Sequence, residues 1–345
     1  MRGVAWSAAA VALAVSACAM GGVPTSELPD APIAFTYRTA EEARRRAEQL
    51  ADDPSGPEVG QPVRRTGYND IIATDDSLAS YFGRLFGKVG EEERYAGRLA
   101  FLSPRTGEVS VVAAARRGSI ALAWSPEHDR LLFSQPGDLD YQIYEYEVES
   151  STVRPVTHAP PAHTQACYGA DGRIVVAAVD ARVSPVRSYL AISGPGGRRP
   201  FRALTDGPFD HSPACSPASA HVAFVRGGDG GRMELLVLGL DSDGPPRRLA
   251  PGRHPAFSHD GEWIAFAAPY QRELRLWRMR PDGTGRAPIG RGIRHEARPA
   301  ISPDGRIVAY VAAEEPPRRH LYLRRFDGTG DRILFADGDG EYPVW

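Results

Sequence analysis

The chain has 345 residues, of which 42% are hydrophobic and 24% charged, a balance that suits a globular body and excludes a disordered or collagen-like chain. A formal net charge of −2 gives none of the basic excess that a nucleic-acid partner requires, and three cysteines are too few for a disulfide framework. With 36 glycines and 30 prolines, the composition favours many short strands joined by turns over long helices.

At the N-terminus, Arg2 precedes an uncharged apolar run from Val4 to Ala17 that is short for a bilayer span. Residues 1–17 therefore read as a secretory signal peptide. The sequence Val15-Ser16-Ala17-Cys18 resembles the bacterial lipobox. That resemblance implies cleavage before Cys18, lipid attachment to its thiol, and anchoring to an envelope membrane facing the periplasm or the exterior. Each buried methylene contributes about 0.8 kcal/mol, so two or three acyl chains would hold the protein almost permanently.

Residues 18–94 are expected to form a tether and a helical appendage. Ala19 to Pro32 reads as the tether. Thr39 to Asp53 reads as a helix stopped by Pro54, because proline disfavours helix at the residue before it. A second, amphipathic helix is expected from Asp76 or Ser77, with Leu78, Leu85, Phe86 and Val89 on one face. It would pack on the main body or, in a purely structural or assembly role, contact a partner.

From about residue 95 the chain repeats itself. Five segments share a Pro or small residue, an apolar residue, a Ser-Pro-Asp-Gly-like turn and an apolar strand. The two fullest are Pro255-Ala256-Phe257-Ser258-His259-Asp260-Gly261 and Pro299-Ala300-Ile301-Ser302-Pro303-Asp304-Gly305. A sixth start, Pro343-Val344-Trp345, ends the chain. Aligning on Trp124, Cys167, Cys215, Phe257, Ile301 and Trp345 gives steps of 43, 48, 42, 44 and 44 residues. A period of about 40–45 residues is that of a four-stranded propeller blade. The repeats resemble those of the TolB-like (WD-type) β-propeller family over 95–345. The resemblance implies an all-β, six-bladed propeller. The stretch before it is shorter than the N-terminal domain of TolB itself.

Closing such a ring requires a blade shared by the two ends of the chain. The innermost strand comes from around Tyr342 to Trp345, and the last two from Arg98 to Leu102 and Glu108 to Val112. No stretch is assigned to the second strand: Arg84 to Val89 could reach it, but its periodicity is helical.

Catalytic sequences are absent: no G-x-S-x-G, P-loop, H-E-x-x-H or C-x-x-C occurs, and no cofactor is expected. Four residues before each anchor the repeats carry Ile120, His163, His211, Arg253, Ala297 and Glu341. The next position carries Ala121, Thr164, Ser212, His254, Arg298 and Tyr342. Equivalent positions ring one face of a propeller, so His163, His211, His254, Arg298, Glu341 and Tyr342 are the expected ligand-binding rim. The leading reading is a monomeric, non-catalytic envelope lipoprotein whose rim receives an envelope protein or a cell-wall glycan. The alternative is a metal-dependent polysaccharide lyase or hydrolase, in which His163, His211 and His254 converge on a transition metal. Some propeller lyases acting on pectic sugars have a comparable His-rich channel mouth.

Cys167 and Cys215 are expected as buried thiols at one repeat position, because a disulfide needs Cα atoms within about 7 Å and neighbouring inner strands would stand further apart. Arg272, Arg275, Arg278 and Arg280 are expected on a solvated face.

Overall fold

The computed structural model describes residues 22–51 and 97–345, apart from 138–139, 159, 181–186, 195–196, 199, 208, 228–231, 272, 293–294 and 313–318, and the side chains of 46–51. The signal peptide, Cys18 and the helix expected between Ser77 and Val89 lie outside the described residues.

The turn that defines the repeat has a local cause. In Ser258-His259-Asp260-Gly261, the Ser258 hydroxyl donates to Asp260 and accepts the Trp263 N–H that opens the next strand. Ser302 does the same with Asp304 and the Ile307 N–H. In the first full repeat Ser125 binds Asp129 and the Arg130 N–H. The reversal needs a left-handed residue three after the serine; Gly261 and Gly305 supply it at φ 70° and 71°. Each turn thus fixes where an inner strand ends and its neighbour begins.

These units form six four-stranded antiparallel blades. Blade 1 joins the chain ends: from the axis outward it consists of Asp339–Val344, Ile33–Arg38, Arg98–Leu102 and Val109–Val111. Blades 2 to 6 follow consecutively over 120–155, 162–203, 210–251, 253–288 and 297–335. Asp339–Val344 contacts the inner strands of both blade 6 and blade 2, which closes the ring.

The second strand of each blade lies between two neighbouring blades and is buried on both faces. Continuous apolar runs such as Leu131-Leu132-Phe133, Val222-Ala223-Phe224 and Ile264-Ala265-Phe266 result, all fully buried, in place of strict alternation. Each phenylalanine contributes about 1.5–3 kcal/mol by burial. Outer strands such as Thr152–Pro155 carry mostly exposed side chains.

The strand with no sequence assignment is Ile33–Arg38. It pairs with Arg98–Leu102 on one side, from Ile33↔Leu102 to Tyr37↔Arg98, and with Asp339–Val344 on the other. The N-terminal contribution to the propeller therefore begins at 33 and not at 95. The helix Ala40–Ala51 follows this strand, so it leaves from within blade 1 instead of preceding the propeller. Ile33, Ala34 and Phe35 are fully buried, and Phe35 meets Phe335 of blade 6 edge-on at 5.5 Å. A hydrophobic run in a turn-rich region was the signal for this strand; its distance of about sixty residues from the rest of its blade hid it.

The expected tether is also docked from its first described residues. Val23 and Leu28 are buried among Ala300, Ile307, Ala309 and Leu323 of blade 6. Glu27 accepts two hydrogen bonds from Arg325, at 2.7 and 2.9 Å, and the Trp345 indole donates to the Ala31 carbonyl at 3.0 Å. Asp337-Gly338-Asp339-Gly340-Glu341 reads as a plain turn in sequence, yet Asp339 onward is the innermost strand of blade 1.

The helix expected from Thr39 is observed, with a reciprocal cap. The Glu42 N–H donates to the Thr39 hydroxyl at 3.2 Å and the Thr39 N–H to the Glu42 carboxylate at 2.9 Å. Glu42 also binds Arg98 of blade 1 at 2.6 Å and Arg117 at 2.9 Å. Burial acts to raise its pKa, but the Thr39 N–H and the two guanidinium groups outweigh it and bring the value down to about 2. Because this acid is depressed when folded, its stabilisation is complete above its ordinary value of 4.5 and is lost as the pH falls toward 2. Glu42→Gln should cost about 2 kcal/mol at neutral pH and flatten the fall in melting temperature between pH 4.5 and 2, as measured by thermal unfolding across that range.

Candidate functional site

The six inner strands surround an axial cavity of about 240 Å³. They are Asp339–Val344, Ile120–Trp124, Ala162–Tyr168, Asp210–Cys215, Arg253–Phe257 and Ala297–Ile301. Each is interrupted at the same place. Register shifts fall between Ala121 and Ala123, His163 and Gln165, His211 and Ala214, Arg253 and Ala256, and Ala297 and Ala300, and opposite Ala34 and Thr36 in blade 1. A bulge of this kind re-aims side chains and bends the strand.

At four of these bulges a non-glycine residue is left-handed: Ser212, His254, Arg298 and Tyr342, with φ between 50° and 54°. All four stand three residues before their anchors. Backbone of this kind costs about 1–3 kcal/mol per residue and persists where surrounding structure imposes it. At Ser212 the imposing group is visible. Gln165 of blade 3 accepts the Ser212 N–H at 2.6 Å and donates to its hydroxyl at 3.3 Å.

The bulge separates the two rings of residues that the sequence reading combined. Ala121, Thr164, Ser212, His254, Arg298 and Tyr342 all line the cavity. Of the expected rim, His254, Arg298 and Tyr342 are thus brought to one mouth, with the Arg298 guanidinium 3.6 Å from the centre of the Tyr342 ring. His163, His211 and Glu341, one position earlier, line no part of the cavity. His163 is buried against Gln142 of blade 2 at 3.1 Å. Glu341 pairs with Arg38 at 2.6 Å and with Arg319. His211 meets the Ser212 hydroxyl at 2.9 Å and the ring of Phe209 at 4.7 Å.

The expected convergence of His163, His211 and His254 on a metal does not occur: among the described residues no three His, Cys, Asp or Glu side chains are grouped to hold one. A strand passing through a bulge turns consecutive residues to different surroundings, which repeat alignment alone does not reveal. Thr164, Gln165 and Ser212 are further channel residues outside the expected rim. Thr164 and Ser212 had the shared repeat position as their signal, and Gln165 had none.

The mouth is electropositive. Burial, together with the charges of Arg253 and Arg298, brings His211 down to about 3 and holds His254 well below the usual histidine value. Both imidazoles are therefore neutral at pH 7 and can accept or donate through either nitrogen. Among the described residues lining the cavity there is no aspartate or glutamate, and Arg298 is the one arginine.

Deeper in the channel the walls become apolar. One residue before the anchors stand Ala123, Ala166, Ala214, Ala256, Ala300 and Val344, and the anchors themselves include Trp124, Phe257 and Trp345. Cys167 and Cys215, expected as thiols, form a disulfide between the inner strands of blades 3 and 4. Their Cα atoms are 5.5 Å apart, because the strands converge on the axis more closely than flat neighbouring sheets would.

The closed six-bladed propeller is a fold that this chain shares with solved TolB structures. No family model matches the chain, and no curated protein matches it. Among solved structures it is similar to TolB from Acinetobacter baumannii, with TM-score 0.61 and 17% identity over 72% of this chain. The chain spans 62% of the length of that protein. It is also similar to a putative TolB from Agrobacterium tumefaciens, with TM-score 0.58 and 21% identity over 70% of this chain and 88% of the other. Hydrazine synthase of Kuenenia stuttgartiensis shares the fold at TM-score 0.63 and 13% identity, over 91% of this chain and 46% of that one.

The disulfide closes a loop with a sequence separation of 48 residues, for which chain entropy gives about 4 kcal/mol. Replacing both cysteines by serine should lower the unfolding free energy by about 2–4 kcal/mol in denaturant titration. Alkylation of the unreduced, unfolded protein should leave Cys167 and Cys215 unlabelled in peptide mass spectra.

Proposed function

We propose that this protein is a non-catalytic lipoprotein of the cell envelope, held to a membrane by lipid on Cys18, whose propeller binds an envelope protein or a cell-wall glycan at the mouth carrying His254, Arg298 and Tyr342. The observation that carries this reading is the repetition of strained backbone in four blades, each time placing a side chain on the same channel mouth. The fold itself needs no left-handed residue there, since Ala121 and Thr164 occupy the same position without one. A disulfide between inner strands suits an oxidising compartment outside the cytoplasm. Among the described residues no helix is long and apolar enough to cross a membrane, so attachment in this reading comes from the N-terminal lipid.

Two measurements test the reading. Cys18→Ser should move the protein from the membrane pellet to the soluble envelope fraction; retention in the pellet would remove the lipid anchor from the account. Cross-linking in intact envelopes and co-sedimentation with purified wall sacculi should each be compared for the wild type, Arg298→Ala and Tyr342→Ala. A partner bound at the mouth predicts a loss of roughly tenfold in one assay for both variants. Equal yields in both assays would place binding elsewhere.

A further inference from the structure

The two ends of the channel differ in chemistry. One end has Ser212, His254, Arg298 and Tyr342; three strand residues further, roughly 10 Å away, come Trp124, Phe257 and Trp345. Between them runs the ring of alanines, which has no side-chain polar atom to replace water on a sugar hydroxyl or a peptide group. The position before that ring is mostly proline, at Pro213, Pro255, Pro299 and Pro343. A ligand entering from the polar end therefore meets hydrogen-bonding groups at the mouth and at Gln165, then the apolar ring, before His128 and His259 at the far end.

Two departures from the repeat bring side chains together across the far end. His128 stands where Gly261 and Gly305 stand in blades 5 and 6, and it keeps their left-handed backbone at φ 57° despite its side chain. His259 stands where Pro126, Pro217 and Pro303 stand in other blades. Blades 2 and 5 lie opposite each other in the ring, so these two side chains can meet only over the axis. Their ring centres are 5.8 Å apart, and His128 also packs at 6.0 Å from Trp124. Two rings at that separation leave no passage between them.

We propose that the axial channel is a one-mouthed pocket for a small organic monocarboxylate with an apolar body, its carboxylate at Arg298, His254 and Ser212 and its body directed toward Trp124, Phe257 and Trp345. The inference rests on the polar mouth being the binding end, as in the function proposed above, and adds a ligand class to it.

Size and charge select this class. An apolar cavity of about 150 Å³ holds benzene, so about 240 Å³ suits an arene with a short acid arm or an acyl chain of similar bulk. The Arg298 guanidinium, held over the Tyr342 ring at the mouth, has the planar fork that suits a carboxylate. The neutral His254 imidazole adds a hydrogen bond without the second positive charge that a phosphate dianion would favour. The absence of aspartate and glutamate from the described lining leaves nothing there to repel an anion.

The experiment is isothermal titration of the detergent-solubilised full-length protein with 3-phenylpropanoate and its uncharged isostere 3-phenylpropanamide, with tryptophan fluorescence followed in parallel. The acid should bind one per chain with Kd below about 1 mM and perturb the emission of the channel tryptophans. The amide should bind at least roughly tenfold more weakly, the value of a charge-assisted contact. Arg298→Gln should remove the difference between acid and amide while leaving the melting temperature near that of the wild type. Equal affinities of acid and amide for the wild type would overturn the carboxylate site without recourse to any variant. No saturation by either compound at about 10 mM would overturn the pocket. Failure here with Arg298-dependent cross-linking intact removes the ligand class alone; failure of both removes the mouth as a binding end.

Discussion

Everything in this propeller depends on a pairing between residues from opposite ends of the described sequence. Thr36 faces Glu341, Tyr37 faces Gly340 and Arg38 faces Asp339, and through this register the C-terminal strand becomes the inner edge of a blade whose remaining strands come from the N-terminal side. A ring of blades without this step would expose two open sheet edges and the apolar face of each terminal blade. The chain reinforces it with components of different kinds. Buried Phe35 packs on Phe335, the Arg38–Glu341 ion pair is almost fully buried, and the Glu42 carboxylate ties the helix to Arg98 and Arg117. Breaking a buried pair leaves an uncompensated charge and typically costs about 3–5 kcal/mol. That makes the closure specific to one register and not only adhesive.

Closure also dictates the site. Six inner strands held at one radius must turn their edges toward a common axis, and the bulge in each is the local adjustment that allows it. Where the bulge residue is large and polar, its side chain arrives at the mouth; where it is Ala121, the wall is merely thinner. The same convergence brings Cys167 within disulfide range of Cys215 and His128 within ring contact of His259. None of these contacts is built by the blade that carries it; each follows from the ring being shut.

The sequence was most informative where physics is local. The Ser-Pro-Asp-Gly turns were legible because one hydroxyl satisfies a strand N–H while an aspartate satisfies the hydroxyl. The helix after Thr39 was legible because its cap is contained in four residues. What sequence could not show was non-local or depended on a single residue of register. Ile33–Arg38 looks like any short apolar run until its partners at 98–102 and 339–344 are in place. Of the six expected rim residues, His254, Arg298 and Tyr342 line the channel and the other three do not, for a related reason. Repeat alignment singled out two positions, but a bulge decides which of them faces the channel; Pro213, Pro255, Pro299 and Pro343 mark four of the bulges without saying which neighbour turns inward. The arginines at 275, 278 and 280 were expected in solvent, yet Arg278 and Arg280 both lie over Trp263. Their aromatic partner comes from the turn before another strand of the blade, beyond the reach of a one-strand pattern.

The bulge divides the labour of each inner strand. Ahead of it lie buried carboxylates with structural partners. Asp210, fully buried, takes both oxygens to Arg226 at 2.6 and 2.7 Å. Glu296, at the same repeat position two blades on, binds Arg324, which also reaches Asp331, the Tyr310 hydroxyl and the Ile289 carbonyl. Glu341, one residue later in its own repeat, binds Arg38 and Arg319. These charges stabilise the packing of strands and blades and are spent on it. Past the bulge the described lining carries no carboxylate, and Ser212, His254, Arg298 and Tyr342 there sit on left-handed backbone. Acidic side chains have thus been kept on the structural side of the bulge and arginine, imidazole and hydroxyl groups placed on the channel side. A mouth arranged in that way is suited to an anion, because the charges that would oppose one are already engaged in holding the ring together.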